Sequence, residues 1–96
     1  MGKIYNNGET NMKTFSYVIK DEIGIHARPA GLLVKEAKKY ESKIVLSKDG
    51  KSVEATRLMA IIGLGVKSGS NVEITVEGVD EEMAYTAIKS FFELNL

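Results

Sequence analysis

Apolar side chains recur along the chain with two different periods, and these periods predict the order of its elements. Residues 14–20 and 72–77 alternate apolar and polar side chains, which is typical of strands with one buried face. Residues 27–40 instead carry apolar side chains at helical offsets, with charged residues on the opposite side. The predicted buried stripe of this helix is Ala30, Leu33, Val34 and Ala37.

The middle and the end of the chain add a hairpin and two more helices. Asp49-Gly50 separates the β-prone segments KIVLS and SVEA, and this dipeptide is a strong signal for a tight turn between antiparallel strands. The short apolar segment 57–64, followed by several glycines, predicts a second helix and a loop. Asp80 is predicted to cap the last helix. The predicted buried stripe of that helix is Ala84, Ala87, Ile88 and Phe91.

The resulting order, βαββαβα, predicts an α+β domain of two layers with helices on one side of a mainly antiparallel sheet. Every apolar face in the pattern is then buried. Residues 1–11 are polar and show no period, so we expect a leader outside the fold and one domain over residues 12–96.

Composition narrows the function classes. Thirteen basic residues balance thirteen acidic ones, which argues against a nucleic-acid partner or a membrane-surface patch. The sequence has no cysteine and one histidine, so it offers neither a thiolate nucleophile nor a cysteine or histidine metal cluster, and it lacks a nucleotide-binding GxxxxGK[ST] loop. We therefore expect no metal and no cofactor. No apolar run is long enough to span a bilayer and the N-terminus lacks a signal-peptide core, so we expect a cytoplasmic protein.

The chemistry is concentrated in GIHARPA, residues 24–30. A single histidine in a small domain is usually inert, but here the neighbouring residues change that expectation. Pro29 suits the first turn of a helix, where its missing N–H costs no hydrogen bond. His26 is therefore predicted to lie at or next to the N-cap of the first helix.

A helix N-terminus presents unpaired N–H groups and a positive partial charge, which together favour a bound anion. Ala27 and Arg28 are predicted to donate there, Arg28 adds a guanidinium suited to phosphate oxygens, and Gly24 is predicted to allow close approach. A neutral imidazole in this position can attack phosphorus. A phosphohistidine formed at His26 would need a donor and an acceptor from outside the chain.

From about Met12 to Leu96 the sequence resembles the HPr family, the histidine-containing phosphocarriers of the bacterial phosphoenolpyruvate-dependent sugar phosphotransferase system. The GIHARPA motif, the Asp-Gly hairpin and the segment LMAIIGL carry the resemblance. It implies an open-faced sandwich of four antiparallel strands with three helices on one face. It also implies a monomer that is no enzyme by itself: phosphorylated enzyme I would phosphorylate His26 on Nδ1, Arg28 would steady the group, and sugar-specific IIA domains would accept it.

The resemblance also implies a surface that partners share. Ile25, Arg57, Leu58 and Met59 are expected to belong to it, although Leu58 and Met59 could equally fill the core of the domain. Two positions depart from the family pattern. Arg57 replaces a serine that a kinase phosphorylates in many relatives, so we expect no such regulation there. Ile23 replaces a small polar residue close to the phosphoryl group, which removes one hydroxyl donor.

Two hydroxyls near Arg57 have plain structural explanations: Thr56 would cap the second helix and Ser52 would lie on an exposed strand face. Two other functions stay open at this point. One is an HPr-like regulatory protein that binds a transcription factor or an enzyme without carrying sugar-transport flux. The other is a small module that binds anions or nucleic acid noncovalently, which the zero net charge and the few aromatic residues disfavour.

Overall fold

Within residues 12–96, seven elements follow one another in the predicted order. The computed structural model describes residues 12–96, so the predicted leader lies outside the described residues. The elements are β1 (Lys13–Val18), α1 (Ala27–Ala37), β2 (Lys43–Lys48), β3 (Lys51–Glu54), α2 (Leu58–Gly63), β4 (Asn71–Glu77) and α3 (Glu81–Asn95).

The four strands form one antiparallel sheet in the order β1-β4-β2-β3. The register explains its two unlike faces, because residues that share a row across the sheet also share a face. One row faces the helices and consists of Phe15, Ile74, Leu46 and Val53. The neighbouring row lies on the open face and consists of Ser16, Glu73, Ser47 and Ser52. The predicted open-faced α+β architecture is confirmed.

The hairpin between β2 and β3 has the predicted turn. Asp49 and Gly50 both have positive φ, 52° and 81°, the conformation that a two-residue turn of this hand requires. The dipeptide thus fixes which residues of β2 and β3 face each other.

Helix α1 ends earlier than predicted. It ends at Ala37, whereas the sequence pattern extends to Tyr40. At Lys39 and Tyr40 the backbone hydrogen bonds join residues three apart, as in a 3₁₀ turn. The N–H of Lys39 donates to the Glu36 carbonyl at 3.1 Å and that of Tyr40 to the Ala37 carbonyl at 3.3 Å. The side chains of Ala30, Leu33 and Ala37 are buried as predicted, whereas Val34 is half-buried.

Asp80 occupies the N-cap position of α3, but its side chain does not cap the helix. The carboxylate instead accepts hydrogen bonds from the backbone N–H groups of Glu41 and Ser42, each at 2.9 Å, and from the Ser42 hydroxyl. At the helix start, Glu81 Oε1 accepts from the N–H of Gly78 at 3.0 Å. Asp80 therefore ties the loop after α1 to the start of α3.

The buried stripe of α3 differs from the prediction at its end. Ala84 and Ile88 are fully buried as predicted, and Ala87 is half-buried. The next fully buried residue is Phe92, four residues after Ile88, while Phe91 is half-buried. The Phe92 ring packs edge to face against Phe15 at 5.8 Å and, at steeply inclined angles, near Tyr17 at 5.6 Å and Phe91 at 6.2 Å.

The core lies between the helices and one face of the sheet. Its largest fully buried side chains are Phe92, Ile19, Leu33, Leu46, Ile61, Ile74, Ile88, Val72 and Val76. Among residues 12–96, no helix is both long enough and apolar enough to cross a membrane.

We predict that Phe92→Ala lowers the free energy of unfolding by about 3–5 kcal/mol, because it leaves a cavity among three aromatic rings. Phe91→Ala should cost less by at least about 1 kcal/mol, since Phe91 is only half-buried. Urea unfolding measures both, and Phe92→Leu replaces the alanine variant if that variant does not fold. Equal losses for Phe91→Ala and Phe92→Ala would contradict the observed register.

We also predict that Asp80 makes stability depend on pH. Hydrogen bonds from the Ser42 hydroxyl and the Glu41 N–H hold the pKa of Asp80 below its ordinary value. A depressed folded-state pKa means that the stability contributed by the carboxylate is present above its unfolded-state pKa and is lost as pH falls through the folded-state pKa. Asp80→Asn should therefore destabilise the protein at neutral pH and lose this difference in acid.

Urea midpoints at about pH 7 and about pH 3 test this expectation. Asp49→Asn is the matched control, because the Asp49 side chain is 85% exposed and Asn tolerates its positive φ. A difference in urea midpoint between wild type and Asp80→Asn that is the same at both pH values would contradict the role of the ionised carboxylate.

Candidate functional site

A short turn carries the chain from β1 to α1 and places the candidate residues. The Asp21 carboxylate accepts the N–H of Ile23 at 2.9 Å, and the Asp21 carbonyl accepts the N–H of Gly24 at 3.1 Å. Ahead of the turn, the N–H groups of Lys20 and Asp21 donate to the Leu96 carbonyl at 2.6 and 2.8 Å. The end of α3 is thereby held beside the turn.

Gly24 is required by close backbone packing. Its φ is +86°, and an added Cβ would lie 2.3 Å from the Val66 carbonyl oxygen and 2.7 Å from Lys67 Cα. The next N–H, that of Ile25, donates to the same Val66 oxygen at 3.0 Å. Gly24 was expected to let backbone approach a phosphate, whereas its close approach is to residues 66–67 and its own N–H is occupied within the turn.

His26 lies at the N-cap of α1, as the motif predicts, with extended φ and ψ of −101° and −172°. Its carbonyl accepts the N–H of Ala30 at 2.9 Å and so starts the helix. Its imidazole does not cap the helix and makes no hydrogen bond with a residue of the described part of the chain. The half-buried ring is therefore free to react.

The first turn of α1 offers donors beside this ring. Within residues 12–96, the N–H groups of Ala27 and Arg28 have no hydrogen-bond acceptor, and Pro29 has no N–H. The guanidinium of Arg28 is exposed and likewise makes no ion pair or hydrogen bond to a described residue. Two backbone donors and one permanent positive charge thus lie unused next to His26.

His26 and Arg28 line one surface depression of about 230 Å³. The other residues that line it are Asp21, Pro29, Leu32 and Asn95. Sequence reasoning missed Asp21, Leu32 and Asn95 as site residues. Asp21 could have been noticed as a turn-forming residue five positions before the histidine, but only the tertiary bonds to Leu96 bring Asn95 there.

A larger depression, of about 630 Å³, lies on the open face of the sheet. It is lined by hydroxyl, amide and charged side chains and contains no histidine. Nor does the described chain bring together three metal-ligating side chains anywhere. The smaller depression at the start of α1, which His26 and Arg28 line, is therefore the candidate functional site.

The expected partner surface is partly corrected. Ile25 is only 4% exposed, because its side chain enters the core where the turn meets α1, so it does not contribute a surface. Leu58 and Met59 are 40% and 74% exposed, while Ile61 takes the buried position of α2. Arg57 is exposed at the N-cap of this helix, and α2 packs against α1.

The remaining sequence positions are also placed. Ile23 is 67% exposed in the turn before His26. Thr56 does not cap α2, because Arg57 holds the N-cap position and no side-chain bond caps that helix. Ser52 is exposed on β3, as interpreted, and its hydroxyl lies 2.7 Å from that of Ser47.

Comparison with known proteins identifies the family of the chain. Residues 13–93 match the family described as "PTS HPr component phosphorylation site". The phosphocarrier protein HPr of Mycoplasma genitalium is 41% identical over 85 residues, covering 88% of this chain and 97% of its own. The HPr-like protein Crh of Halalkalibacterium halodurans is 41% identical over 75 residues, covering 78% and 89%.

A solved structure shares the architecture. HPr-C-His of Thermoanaerobacter tengcongensis is 43% identical and superposes with a TM-score of 0.80, over 84% of this chain and 91% of its own. The family match over residues 13–93 includes the four strands of the sheet and the turn that carries the histidine motif. This chain therefore belongs to the HPr family of phosphocarrier proteins of the phosphotransferase system.

Proposed function

We propose that His26 accepts a phosphoryl group from phosphorylated enzyme I and passes it to sugar-specific IIA domains. One observation carries the proposal: an imidazole without a hydrogen-bond partner in the described chain lies at the positive end of α1, beside unused donors. Family membership supports the same function, since the match extends across the histidine motif.

The chemistry needs positioning and charge stabilisation more than it needs further catalytic groups. A ring nitrogen of His26 forms a bond to phosphorus as the donor's bond to phosphorus breaks, and the leaving electron pair stays with the donor. The N–H groups of Ala27 and Arg28 and the Arg28 guanidinium then face a dianionic group. The acceptor protein repeats the exchange in the opposite sense, so the chain is a carrier and no cofactor is involved.

Docking of two kinds of partner calls for an adaptable surface. Met59 is unbranched and exposed, and Leu58 lies beside it on α2, the helix that packs against the one carrying His26. We propose that Arg57, Leu58 and Met59 contact enzyme I and the IIA domains. We also propose that the carrier is monomeric and cytoplasmic, that it inserts into no membrane and that it binds no nucleic acid.

A regulatory function is the second candidate, and the similarity to an HPr-like Crh protein is the observation that favours it. Two features of this chain weigh against it. Docking alone requires neither a free imidazole nor an unpaired guanidinium, yet His26 and Arg28 have no side-chain partner among residues 12–96. Arg57 also stands where a regulatory serine would be phosphorylated, so an ATP-dependent kinase should not modify this position.

We predict that phosphoenolpyruvate and a cognate enzyme I will label the protein with acid-labile phosphate, and that His26→Ala abolishes the label. The variant should keep the wild-type circular dichroism spectrum, since the imidazole makes no hydrogen bond within the described chain. Failure to label wild type, under conditions that label an HPr protein of known activity, would refute the carrier function. Labelling of wild type without transfer to any IIA domain would favour the regulatory function.

We predict that Arg28→Ala slows phosphoryl transfer from enzyme I roughly ten- to a hundredfold, because it removes a preorganised charge that faces the transferring group. Arg28→Lys should recover part of the rate, since it restores the charge without the planar fork. Lys51→Ala, an exposed position in the β2–β3 hairpin, is the charge-matched control. Equal slowing by Arg28→Ala and Lys51→Ala would show that only overall charge matters. Quenched-flow labelling measures the rates.

A further inference from the structure

Asp21 has two connections to the site that the proposed function does not use. Its side chain shapes the turn, because Oδ1 accepts the N–H of Ile23 at 2.9 Å while its carbonyl accepts that of Gly24. Its N–H also donates to the Leu96 carbonyl at 2.8 Å, which fixes the turn against the end of α3. The residue therefore helps to fix the path of the backbone that leads to His26.

Asp21 also borders the depression that contains His26. Asp21 lines the same depression as His26 and Arg28, and its Oδ2 accepts no hydrogen bond from a described residue. The guanidinium of Arg28 lies in that depression without an ion pair to Asp21 within 4.0 Å. One positive and one negative side chain thus border the place where a phosphoryl group would lie.

We propose that Asp21 is a positioning residue whose negative charge also shortens the lifetime of the phosphoryl group on His26. This inference rests on the proposed function, because it concerns the phosphorylated form of the same histidine. Arg28 attracts the dianion, whereas Asp21 repels it across the depression. Together the two charges give the phosphohistidine an intermediate stability: the phosphoryl group is not bound too tightly to be transferred, and it is not hydrolysed before transfer.

The physical reason lies in how charge changes when the group leaves. In hydrolysis, a water oxygen forms a bond to phosphorus, the N–P bond breaks, its electron pair returns to the ring nitrogen and a water proton passes to solvent. The phosphoryl group loses negative charge density in a loose transition state. A neighbouring carboxylate therefore destabilises the phosphohistidine more than the transition state, and its removal should slow the loss of phosphate.

Two substitutions separate charge from position. Asp21→Asn removes the charge but keeps an oxygen that can accept the N–H of Ile23, whereas Asp21→Ala removes both. Glu22→Gln is the matched control, because Glu22 is an exposed neighbouring carboxylate that does not line the depression. Potassium phosphoramidate phosphorylates each protein chemically, and ³¹P spectroscopy then measures the half-life of phospho-His26 at neutral pH.

We expect Asp21→Asn to lengthen this half-life roughly three- to tenfold, because it removes one negative charge that borders the depression, with Glu22→Gln unchanged. We expect Asp21→Ala to be phosphorylated by enzyme I more slowly than Asp21→Asn, because it alone loses the side-chain hydrogen bond that shapes the turn. A wild-type half-life for Asp21→Asn, or an equal lengthening by Glu22→Gln, would overturn the electrostatic role. Equal phosphorylation rates for Asp21→Asn and Asp21→Ala would overturn the positioning role.

The chemical route keeps this test separate from that of the proposed function. Wild type that phosphoramidate phosphorylates but enzyme I does not would contradict the carrier function, while the half-lives of the Asp21 variants would still decide the charge effect. Wild type that enzyme I phosphorylates, with unchanged Asp21→Asn, would refute the inference alone.

Discussion

The site depends on the contact of one backbone segment with another. Gly24 passes so close to residues 66–67 that a Cβ would overlap the Val66 carbonyl oxygen, and Ile25 donates a hydrogen bond to that same oxygen. The contact joins the loop after α2 to the turn before α1. Because the next residue is His26, the position of the imidazole is set by backbone atoms rather than by its own side-chain bonds. The ring is thus held in place while remaining free to react.

The first turn of α1 contains backbone N–H groups that have no acceptor among residues 12–96. Buried N–H groups without acceptors are costly, but Ala27 and Arg28 are exposed residues, so water can satisfy their N–H groups until an anion replaces it. Pro29 removes one further donor at the position where an unsatisfied N–H would otherwise occur, and its buried ring anchors the first turn. The start of the helix is therefore fixed by Pro29, although the N-cap residue makes no side-chain hydrogen bond to it.

Local pattern predicted the elements because their periods are local properties. The strands alternate, the Asp49-Gly50 turn has the dihedral angles that its residues favour, and Pro29 starts α1 where expected. The predictions that were wrong concern residues whose surroundings are set by contacts with segments distant in the sequence. Asp80 suits a cap, but its carboxylate instead accepts three hydrogen bonds, two from the N–H groups of Glu41 and Ser42 and one from the Ser42 hydroxyl. Phe91 and Phe92 are adjacent aromatic residues, and only packing against Phe15 decides which is buried.

The candidate site shows the same division. The motif around His26 could be found in the sequence, since a nucleophile, a basic residue and a helix start are adjacent there. Ile25 was wrongly expected at the surface, because an apolar residue beside a reactive one gives no sign of its direction. Asn95 could not be placed, since the carbonyl of Leu96 brings the end of α3 to the turn through tertiary hydrogen bonds alone.

A carrier differs from an enzyme in what its site must not do. Binding the phosphoryl group as strongly as possible would trap it, because only interactions that weaken on release let the next protein take it. Ile23, exposed in the turn, offers no hydroxyl to the group, and Asp21 borders the same depression as Arg28. In the proposed function, both features would limit the stabilisation that Ala27 and Arg28 give to the phosphoryl group. The site is therefore consistent with a phosphohistidine of intermediate stability, which is the property that transfer in two steps requires.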